Sequence, residues 1–394
     1  MGKNWKNKDW DKAVKKQSLK KTSKNSKGVD RGSSLKDDFV LAASDADELL
    51  SLSDEYFEAR VVEVHKRYAF ISTEEEGNIN TEDVWLATVA RRFLQAKRTE
   101  RNFVAVGDRI ICKEGGDTIP DVSEDLPSCT IEGRLERVNK ISRLSPLRKD
   151  LTHVIACNLD RLIIVASLVD PKVKWGLIDR YLTLAESEGL EAVIVLTKKD
   201  LLDEEGMEEY KDECLKYVDI YKSIGYEVHL VQANVEAESG HESVDVIRSL
   251  FKDRICLVSG HSGVGKSSIV NLLNPEIEQE VEDVDIFYKG RHTTTYSSLI
   301  KLGVGGYVVD TPGIRSFLIE ERSHRDLAYC FKEFRPFLGK CKYRECRHLD
   351  EPDCAIKGAV ESGDISEWRY KSFFGILLGA TGREGRIRDI EIEE

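Results

Sequence analysis

A complete phosphate-binding loop in the second half of the chain is the feature that most constrains the fold. The run Gly260-His-Ser-Gly-Val-Gly-Lys-Ser-Ser268 has the Gly-x4-Gly-Lys-Ser pattern, in which glycines let backbone N–H groups curl around phosphate oxygens. An apolar run, Arg254–Ser259, precedes the loop, and Ser267–Leu273 follows it with helical character. This strand–loop–helix context predicts an α/β nucleotide-binding domain, because the helix N-terminus adds the positive end of its dipole to the site.

The pattern gives each loop residue a role in binding a nucleotide. Lys266 neutralises the outer phosphates, and the hydroxyl of Ser267 lies where such loops hold Mg²⁺ between the terminal phosphates. We therefore predict that Lys266 also assists catalysis. The other residues that we expect to contact phosphate are Gly260, Ser262, Gly263, Val264, Gly265 and Ser268.

A base-reading motif precedes the phosphate loop, which reverses the usual order of these two elements. The apolar run Glu191–Leu196 ends in Thr197-Lys-Lys-Asp200. The Asp200 carboxylate can accept hydrogen bonds from the ring N–H and the amine that guanine presents and adenine lacks. The stem of Lys198 would lie along the base, and a backbone contact from Ala233 is expected after a third run, Tyr226–Val231. Together these residues predict a GTP site assembled in permuted order.

The segments after the loop complete the phosphate side. In Asp310-Thr-Pro-Gly313, Asp310 would hold the Mg²⁺ shell and the Gly313 N–H would meet the γ-phosphate. In the segment between Lys266 and Asp310, Thr294 is our candidate for a second Mg²⁺ ligand. The alternative is that Thr294 and the threonines on either side of it begin an edge strand. Ile314 stands where many GTPases have a water-orienting glutamine, so intrinsic turnover should be slow. His292 is the candidate group for positioning water, although a loop histidine can also be merely solvated.

A second constellation points to a metal. Cys341, Cys346, His348 and Cys354 supply four ligands of the kind and number that a closed tetrahedral zinc site uses. A closed site has no open position for water, so we interpret it as structural, and the alternative is a set of unrelated buried thiols. The chain has nine cysteines without a disulfide framework. We expect no disulfides and interpret the remaining ones as buried apolar residues: Cys112, Cys129, Cys157, Cys214, Cys256 and Cys330.

Length and charge predict several domains of different character. The chain has 394 residues, which is more than one hydrophobic core usually serves. Residues 1–36 carry twelve Lys or Arg against three acids, whereas the net charge of the chain is −12. We expect residues 1–50 to form a basic arm, unstructured over about its first 36 residues, whose lysines and tryptophans, Trp5 and Trp10, contact RNA; a merely solvated leader is the alternative. The chain has no apolar run long enough to span a membrane and no secretory signal, so we expect a cytoplasmic protein. We also expect this protein to be a monomer.

Short alternating runs between the arm and the GTP site predict a small β-barrel. These runs are Tyr56–Val64, Tyr68–Ile71, Asp83–Leu86 and Val106–Ile111. A basic cluster lies within the predicted barrel, where it would contact phosphates or form an exposed helix with Phe93 and Leu94 inward: Arg91, Arg92, Lys97, Arg98 and Arg101. Helices are predicted around the zinc ligands at Asp326–Phe337 and Ile365–Leu378.

The order of these motifs resembles one family, the circularly permuted, ribosome small-subunit-dependent GTPases known as RsgA/YjeQ. The resemblance covers roughly residues 55–380 and includes Cys157–Asp160, Ile178–Leu182 and the four metal ligands. It implies an OB-fold barrel over 51–145, a circularly permuted P-loop GTPase domain over 146–320 and a helical zinc-binding domain over 321–394. It also implies subunit-stimulated hydrolysis of GTP to GDP and phosphate, with small-subunit rRNA as the partner.

This chain departs from the family pattern at three positions. Thr197 stands where the family usually has Asn, Gln232 where a Ser commonly stands, and His261 where Gln is common. Two alternatives remain open from the residues alone. A P-loop ATPase or kinase would bind ATP and GTP alike, and Asp200→Asn would not change its choice of nucleotide. A non-enzymatic RNA-binding module would hold GTP only as a structural ligand.

Overall fold

The computed structural model describes most of the chain after residue 38. The described residues are 39–75, 78–93, 100, 102–116, 119, 122, 126–144, 152–232, 238–273, 297–310 and 324–380. The strands are β1 (Val40–Leu41), β2 (Tyr56–Val64), β3 (Ala69–Glu75), β4 (Asn78–Val89), β5 (Arg109–Glu114), β6 (Ser128–Leu135), β7 (Lys140–Leu144), β8 (Thr152–Cys157), β9 (Arg161–Ser167), β10 (Glu191–Thr197), β11 (Glu227–Leu230), β12 (Ile255–Ser259), β13 (Ser297–Lys301) and β14 (Tyr307–Asp310). The helices are α1 (Ala43–Leu52), α2 (Trp175–Glu188), α3 (Glu208–Ile224), α4 (Glu238–Phe251), α5 (Lys266–Leu273), α6 (His324–Tyr329), α7 (Ala355–Ser362) and α8 (Glu367–Ala380).

The first five long strands close a barrel. Strand β2 pairs with β3 and β5, β3 pairs with β4, and β6 closes the ring by pairing with β4 and β5. Buried residues from all of these strands fill its core, among them Val61, Ile71, Ile110 and Ile131. The predicted barrel is confirmed. Strand β2 coincides with its predicted run, β3 and β4 extend beyond theirs, and β5 begins and ends three residues later than its run.

The barrel begins before the predicted boundary at residue 50. Val40–Leu41 pairs in parallel with β6, and Ala46 of the following helix is buried. Residues 40–50 are therefore part of the barrel rather than of the arm, because pairing and burial hold them against it. The arm residues 1–38 lie outside the described residues.

The basic cluster of the barrel is a single helical turn in its described part. Arg91–Phe93 forms a 3-10 turn in which Phe93 is buried and both arginines are exposed. Arg92 forms an ion pair with Glu132 and also stacks its guanidinium over the Phe93 ring. Lys97, Arg98 and Arg101 lie outside the described residues, so the predicted phosphate contacts stay a prediction.

A buried ionic network connects the barrel to the hairpin that β7 and β8 form. Asp108 is fully buried and accepts two hydrogen bonds of 2.6 Å from Arg137. Arg137 also donates to Glu100 at 2.7 Å, and Cys157 donates its thiol to Asp108 at 3.1 Å. The sequence indicated Cys157 only as an apolar core residue, and the structure adds this hydrogen bond to its burial. All nine cysteines are free thiols, and the six interpreted as core residues are buried.

The second half of the chain builds an open sheet around the phosphate loop. Strands β14, β12, β9, β10 and β11 are parallel neighbours in that order, and β13 joins antiparallel at the β14 side. Alternate residues of β9 and β10 face opposite cores: Ile164 and Ile194 pack with α2 and α3, whereas Ile163 and Val193 pack with α4 and α5. This burial on both faces explains why these strands read as continuous apolar runs.

Strand β13 belongs to both halves of the molecule. One of its edges pairs with β14, where Ser298 is opposite Asp310. Its other edge pairs antiparallel with barrel strand β2, where Ser298 is opposite Glu63. Tyr307 of β14 adds a 2.8 Å hydrogen bond to the Ile79 carbonyl of the barrel, in a buried position. The barrel and the open sheet thus form one continuous sheet.

The C-terminal module is a small helical core next to the metal-ligand loop. Phe331, Phe334 and Phe373 are fully buried and pack edge to face or tilted against one another. The helix predicted over Asp326–Phe337 is instead split into α6 and a 3-10 turn, Lys332–Phe337, because Phe331 has an extended backbone. The helix predicted over Ile365–Leu378 is present as α8. Among the helices that the structure describes, none combines the length and the apolar character needed to cross a bilayer.

Candidate functional site

The predicted nucleotide-binding residues meet at one edge of the open sheet. The phosphate loop follows β12, the Thr197-Lys-Lys-Asp200 motif begins at the end of β10, and Asp310 ends β14. Because these strands are parallel, their carboxyl ends lie along the same edge, which is where open α/β sheets bind ligands. Strand β12 lies between β9 and β14, so the loop is at the centre of this edge.

The glycines of the phosphate loop are required by its backbone. Gly260, Gly263 and Gly265 have φ values of 155°, 80° and 94°, a region that other residues rarely adopt. A Cβ atom on Gly260 would lie 2.0 Å from the Val165 carbonyl oxygen, so the loop also passes too close to β9 for a side chain. The loop therefore has the tight, N–H-exposing shape that holds phosphates.

A direct hydrogen bond joins the phosphate loop to the base-reading motif. The Thr197 hydroxyl donates to the Val264 carbonyl oxygen at 2.7 Å, and both residues are buried. A Cβ atom on Gly265 would lie 3.7 Å from the Thr197 methyl group. Asp200 lies three residues further along the chain and is exposed. The two motifs are separated by more than sixty residues in sequence, yet they form one site.

Lys266 is held inside the loop by backbone oxygens. Its amino group donates to the Gly260 carbonyl at 3.0 Å and to the His261 carbonyl at 2.7 Å. Partial burial lowers the pKa of Lys266 from its usual value. A desolvated ammonium group gains more from an anionic partner than from neutral carbonyls, so phosphate oxygens would compete well for it.

The loop between β9 and α2 covers one side of the site. The sequence motifs did not indicate this loop. Ser167 ends β9, and its hydroxyl donates to the Asp170 carbonyl at 2.9 Å. The Lys198 amino group donates to the same carbonyl. Pro171 lies next to the phosphate loop, since a Cβ atom on Gly263 would come within 3.9 Å of its ring. The Asp170-Pro171 dipeptide is a turn signal that could have indicated this loop.

His261 faces that same side of the loop. It lines a cleft with Val264, Pro171, Leu177 and Tyr181. Its ring nitrogen Nδ1 lies 3.0 Å from the Ser262 carbonyl oxygen. The departure from the family's usual glutamine thus falls beside helix α2.

The structure describes most, but not all, of the predicted nucleotide ligands. Ser262, Ser267, Ser268 and Asp310 are exposed at the sheet edge. Four predicted residues lie outside the described residues, and their roles stay predictions: Ala233, His292, Thr294 and Gly313. The described edge carries one hydroxyl, of Ser267, and one carboxylate, of Asp310, which are ligand types that Mg²⁺ prefers.

The four predicted zinc ligands converge in the C-terminal module. Their ligand atoms all lie within 4.8 Å of one another. His348 Nδ1 lies 3.5 Å from the sulfurs of Cys341 and Cys354, which are 3.9 Å apart. A tetrahedral ion with zinc–sulfur bonds of about 2.3 Å separates its ligands by about 3.7 Å. The residues therefore fit a zinc ion in number, kind and spacing.

The surroundings of this cluster favour an ion over free thiols. Burial raises the pKa of Cys346 to about 12, so a cation beside its sulfur favours the thiolate that binds metal. The Tyr370 hydroxyl donates to the His348 carbonyl at 2.6 Å and fixes the ligand loop to α8. The arrangement has four protein ligands and three of them are buried, which suits a structural site.

Comparisons with known proteins agree with this geometry. The family model described as RsgA GTPase matches residues 134–320. The chain is 39% identical over 282 residues to a "Small ribosomal subunit biogenesis GTPase RsgA" of Chlorobaculum parvum, covering 70% of this chain and 85% of the relative. It is 40% identical over 257 residues to the protein of that name from Shewanella oneidensis, covering 64% of this chain and 70% of the relative.

Solved structures with the same architecture are also similar. The crystal structure of YloQ, a circularly permuted GTPase, matches with a TM-score of 0.61 and 27% identity, over 84% of this chain and 97% of that one. The structure of YjeQ from Thermotoga maritima matches with a TM-score of 0.61 and 30% identity, over 84% of this chain and all of that one (100%).

Proposed function

Because this chain belongs to the RsgA family of GTPases, we propose that it binds the small ribosomal subunit and hydrolyses GTP there during late subunit maturation. GTP hydrolysis is the activity of the family, and small ribosomal subunit biogenesis is the role that the names of its relatives give. In this proposal, GTP binding holds the protein on the subunit, and hydrolysis to GDP and phosphate releases it.

The hydrogen bond from Thr197 to Val264 is the observation that carries the nucleotide assignment. It joins the base-reading motif directly to the phosphate loop, although the chain has them in reversed order, and this supports a shared nucleotide site. A P-loop ATPase or kinase gives no reason for Thr197-Lys-Lys-Asp200 to lie against the loop. Asp200 is thus available to accept the two hydrogen bonds that distinguish guanine.

The remaining roles follow from the predicted ligands. Ser267, Thr294 and Asp310 would hold Mg²⁺, which neutralises the terminal phosphates when bound. Lys266 and the backbone N–H groups of the loop would bind the phosphates, and the Gly313 N–H would meet the γ-phosphate. His292 would orient the attacking water, because Ile314 has no polar group for that task.

The partner surfaces proposed for the subunit are the barrel and the basic arm. Arg91 and Arg92 are exposed beside the barrel wall, and the arm carries twelve basic residues against three acids over residues 1–36. Such charges bind phosphates of rRNA, whereas the acidic remainder of the chain disfavours indiscriminate RNA binding. We propose a cytoplasmic, monomeric protein with one structural zinc ion.

GTP turnover with and without purified small subunits tests the proposal. We expect slow basal turnover in the wild type and strong stimulation by the subunits. Lys266→Ala should abolish turnover, because phosphate charge is then uncompensated. His292→Ala should keep GTP binding and lower the stimulated rate.

Controls separate the alternative functions. Large ribosomal subunits at the same concentration should not stimulate. Turnover that stays negligible with small subunits, although GTP binds, would favour a module that holds GTP as a structural ligand. Equal affinity for ATP and GTP would favour an ATPase. Unchanged stimulated turnover in His292→Ala would remove His292 from the mechanism.

A further inference from the structure

A fully buried carboxylate lies in helix α2, between the open sheet and the C-terminal module. Asp179 is 0% exposed, although apolar residues surround it in the helix: Ile178, Leu182 and Ala185 are buried as well. A charged side chain at such a position costs free energy unless it is paired. The run Ile178–Leu182 belongs to the family resemblance, but no sequence pattern indicates a role for Asp179.

The partner of Asp179 comes from a distant part of the chain. Arg369 of α8 is 1% exposed and donates to Asp179, and the Tyr221 hydroxyl donates to the same carboxylate at 2.9 Å. Arg369 also donates to Glu333 at 2.6 Å and stacks 4.5 Å above the Phe331 ring. Four side chains from α2, α3 and the C-terminal module therefore surround one guanidinium, which fixes its position: Asp179, Tyr221, Glu333 and Phe331.

The neighbouring residues of α2 and two residues of the phosphate loop line one cleft. Leu177, Ile178 and Tyr181 line the cleft in which His261 and Val264 are also found. Helix α2 begins directly after the loop whose Asp170 carbonyl accepts from Lys198 of the base-reading motif. The first two turns of α2 thus support the nucleotide site on one side and contact Arg369 on the other.

We propose that Arg369 is a positioning residue for the nucleotide pocket, because its pairing with Asp179 fixes the part of α2 against which the phosphate loop packs. The inference rests on the proposed nucleotide site. Arg369 does not contact the nucleotide. It fixes where the first turns of α2 lie along the helix axis and how they are rotated about it. The C-terminal module would thereby influence how tightly GDP and GTP are held.

A second ion pair between α2 and the same module provides a matched control. Glu186, in the last turn of α2, pairs with Arg335 at 2.5 Å and with Lys332 at 3.1 Å. It lies two helical turns beyond Asp179, away from the residues that line the cleft. Both pairs join the module to α2, but only Asp179 stands among the α2 residues that line the cleft, next to Ile178 and near Tyr181.

The dissociation rate of a fluorescent GDP analogue from the full-length protein tests the inference. We expect Arg369→Met to raise this rate at least tenfold, Tyr221→Phe to raise it a few-fold, and Arg335→Met to change it less than twofold. The KM for GTP should rise in Arg369→Met while basal kcat at saturating GTP stays within twofold. Zinc content, measured on each variant, reports whether the C-terminal module is still folded.

The outcomes are separable. Wild-type dissociation in an Arg369→Met protein that retains zinc would overturn the inference, and so would equal effects of Arg369→Met and Arg335→Met. If Arg369→Met does not fold, Arg369→Lys and Tyr221→Phe decide, because each keeps the site filled and weakens only part of the network. A wild-type protein that does not bind GDP would instead refute the nucleotide site itself.

Discussion

The hydroxyl of Thr197 offers the sharpest test of how the permuted site is assembled. Thr197→Val keeps the branched shape and removes the hydroxyl that donates to the Val264 carbonyl at 2.7 Å. Thr197 is 5% exposed and Val264 is 3% exposed, so water cannot replace the lost donor. A buried carbonyl left without a partner costs about 1–3 kcal/mol. If the loop moves to escape this cost, the affinity for GDP falls by a factor of about 5–150.

The assay combines GDP titration with thermal unfolding of the same variants. Thr197→Val should weaken GDP binding, lower the thermal midpoint, or divide the cost between the two. Thr183→Val is the matched control, because the Thr183 hydroxyl is buried too but donates within α2 to the carbonyl four residues earlier, at 2.8 Å. Thr197→Asn should largely restore binding, since an amide can also donate. The reasoning is refuted if Thr197→Val binds GDP and unfolds as the wild type does.

Three further predictions concern base choice, metal and pH. Asp200→Asn should weaken GDP binding and favour xanthosine diphosphate in competition titrations, because an amide donates to the xanthine oxygen; an unchanged preference would argue against base reading by Asp200. Chelation of zinc or Cys346→Ala should lower the thermal midpoint by several degrees with loss of bound zinc, whereas Cys330→Ala, another buried thiol of the same module, should keep the zinc. Burial raises the pKa of Glu100, but Arg137 and Lys140 outweigh it and hold that pKa below its usual value. The ionised carboxylate therefore stabilises the fold above the unfolded pKa of Glu, and this stability is lost as pH falls through the lower folded value. Acid titration of unfolding should be shallower below about pH 4.3 in Glu100→Gln.

Much of the nucleotide site was predictable because its residues belong to local sequence patterns. The glycines Gly260, Gly263 and Gly265 indicate a loop that needs positive φ. The apolar runs before the motifs indicate buried parallel strands. Adjacent carboxyl ends then bring Asp200 and Lys266 to one edge without further information. The four zinc ligands were predictable for a similar reason, since they lie within fourteen residues of one another.

The contacts between distant segments were not predictable in this way. No local pattern indicates that Arg369 reaches Asp179, or that Arg137 reaches Asp108, because each pair joins elements whose relative placement is set by packing. The only signal was a charged residue inside an apolar helical pattern, which predicts burial with an unnamed partner. Likewise, the base-reading motif did not indicate that Thr197 bonds to Val264, since that bond depends on how closely β10 approaches the loop.

The pairing of β13 on both of its edges has a consequence for how the chain can be divided. Residues 146–320 were predicted as a separate GTPase domain, and that boundary is a proposal. A fragment cut at residue 146 would expose the backbone N–H and C=O groups of β13 that β2 now covers. Open strand edges recruit other chains, so the isolated fragment should self-associate more strongly than the whole protein. The barrel would then have two roles. It covers the open edge of β13, and it provides a surface for any RNA that it binds.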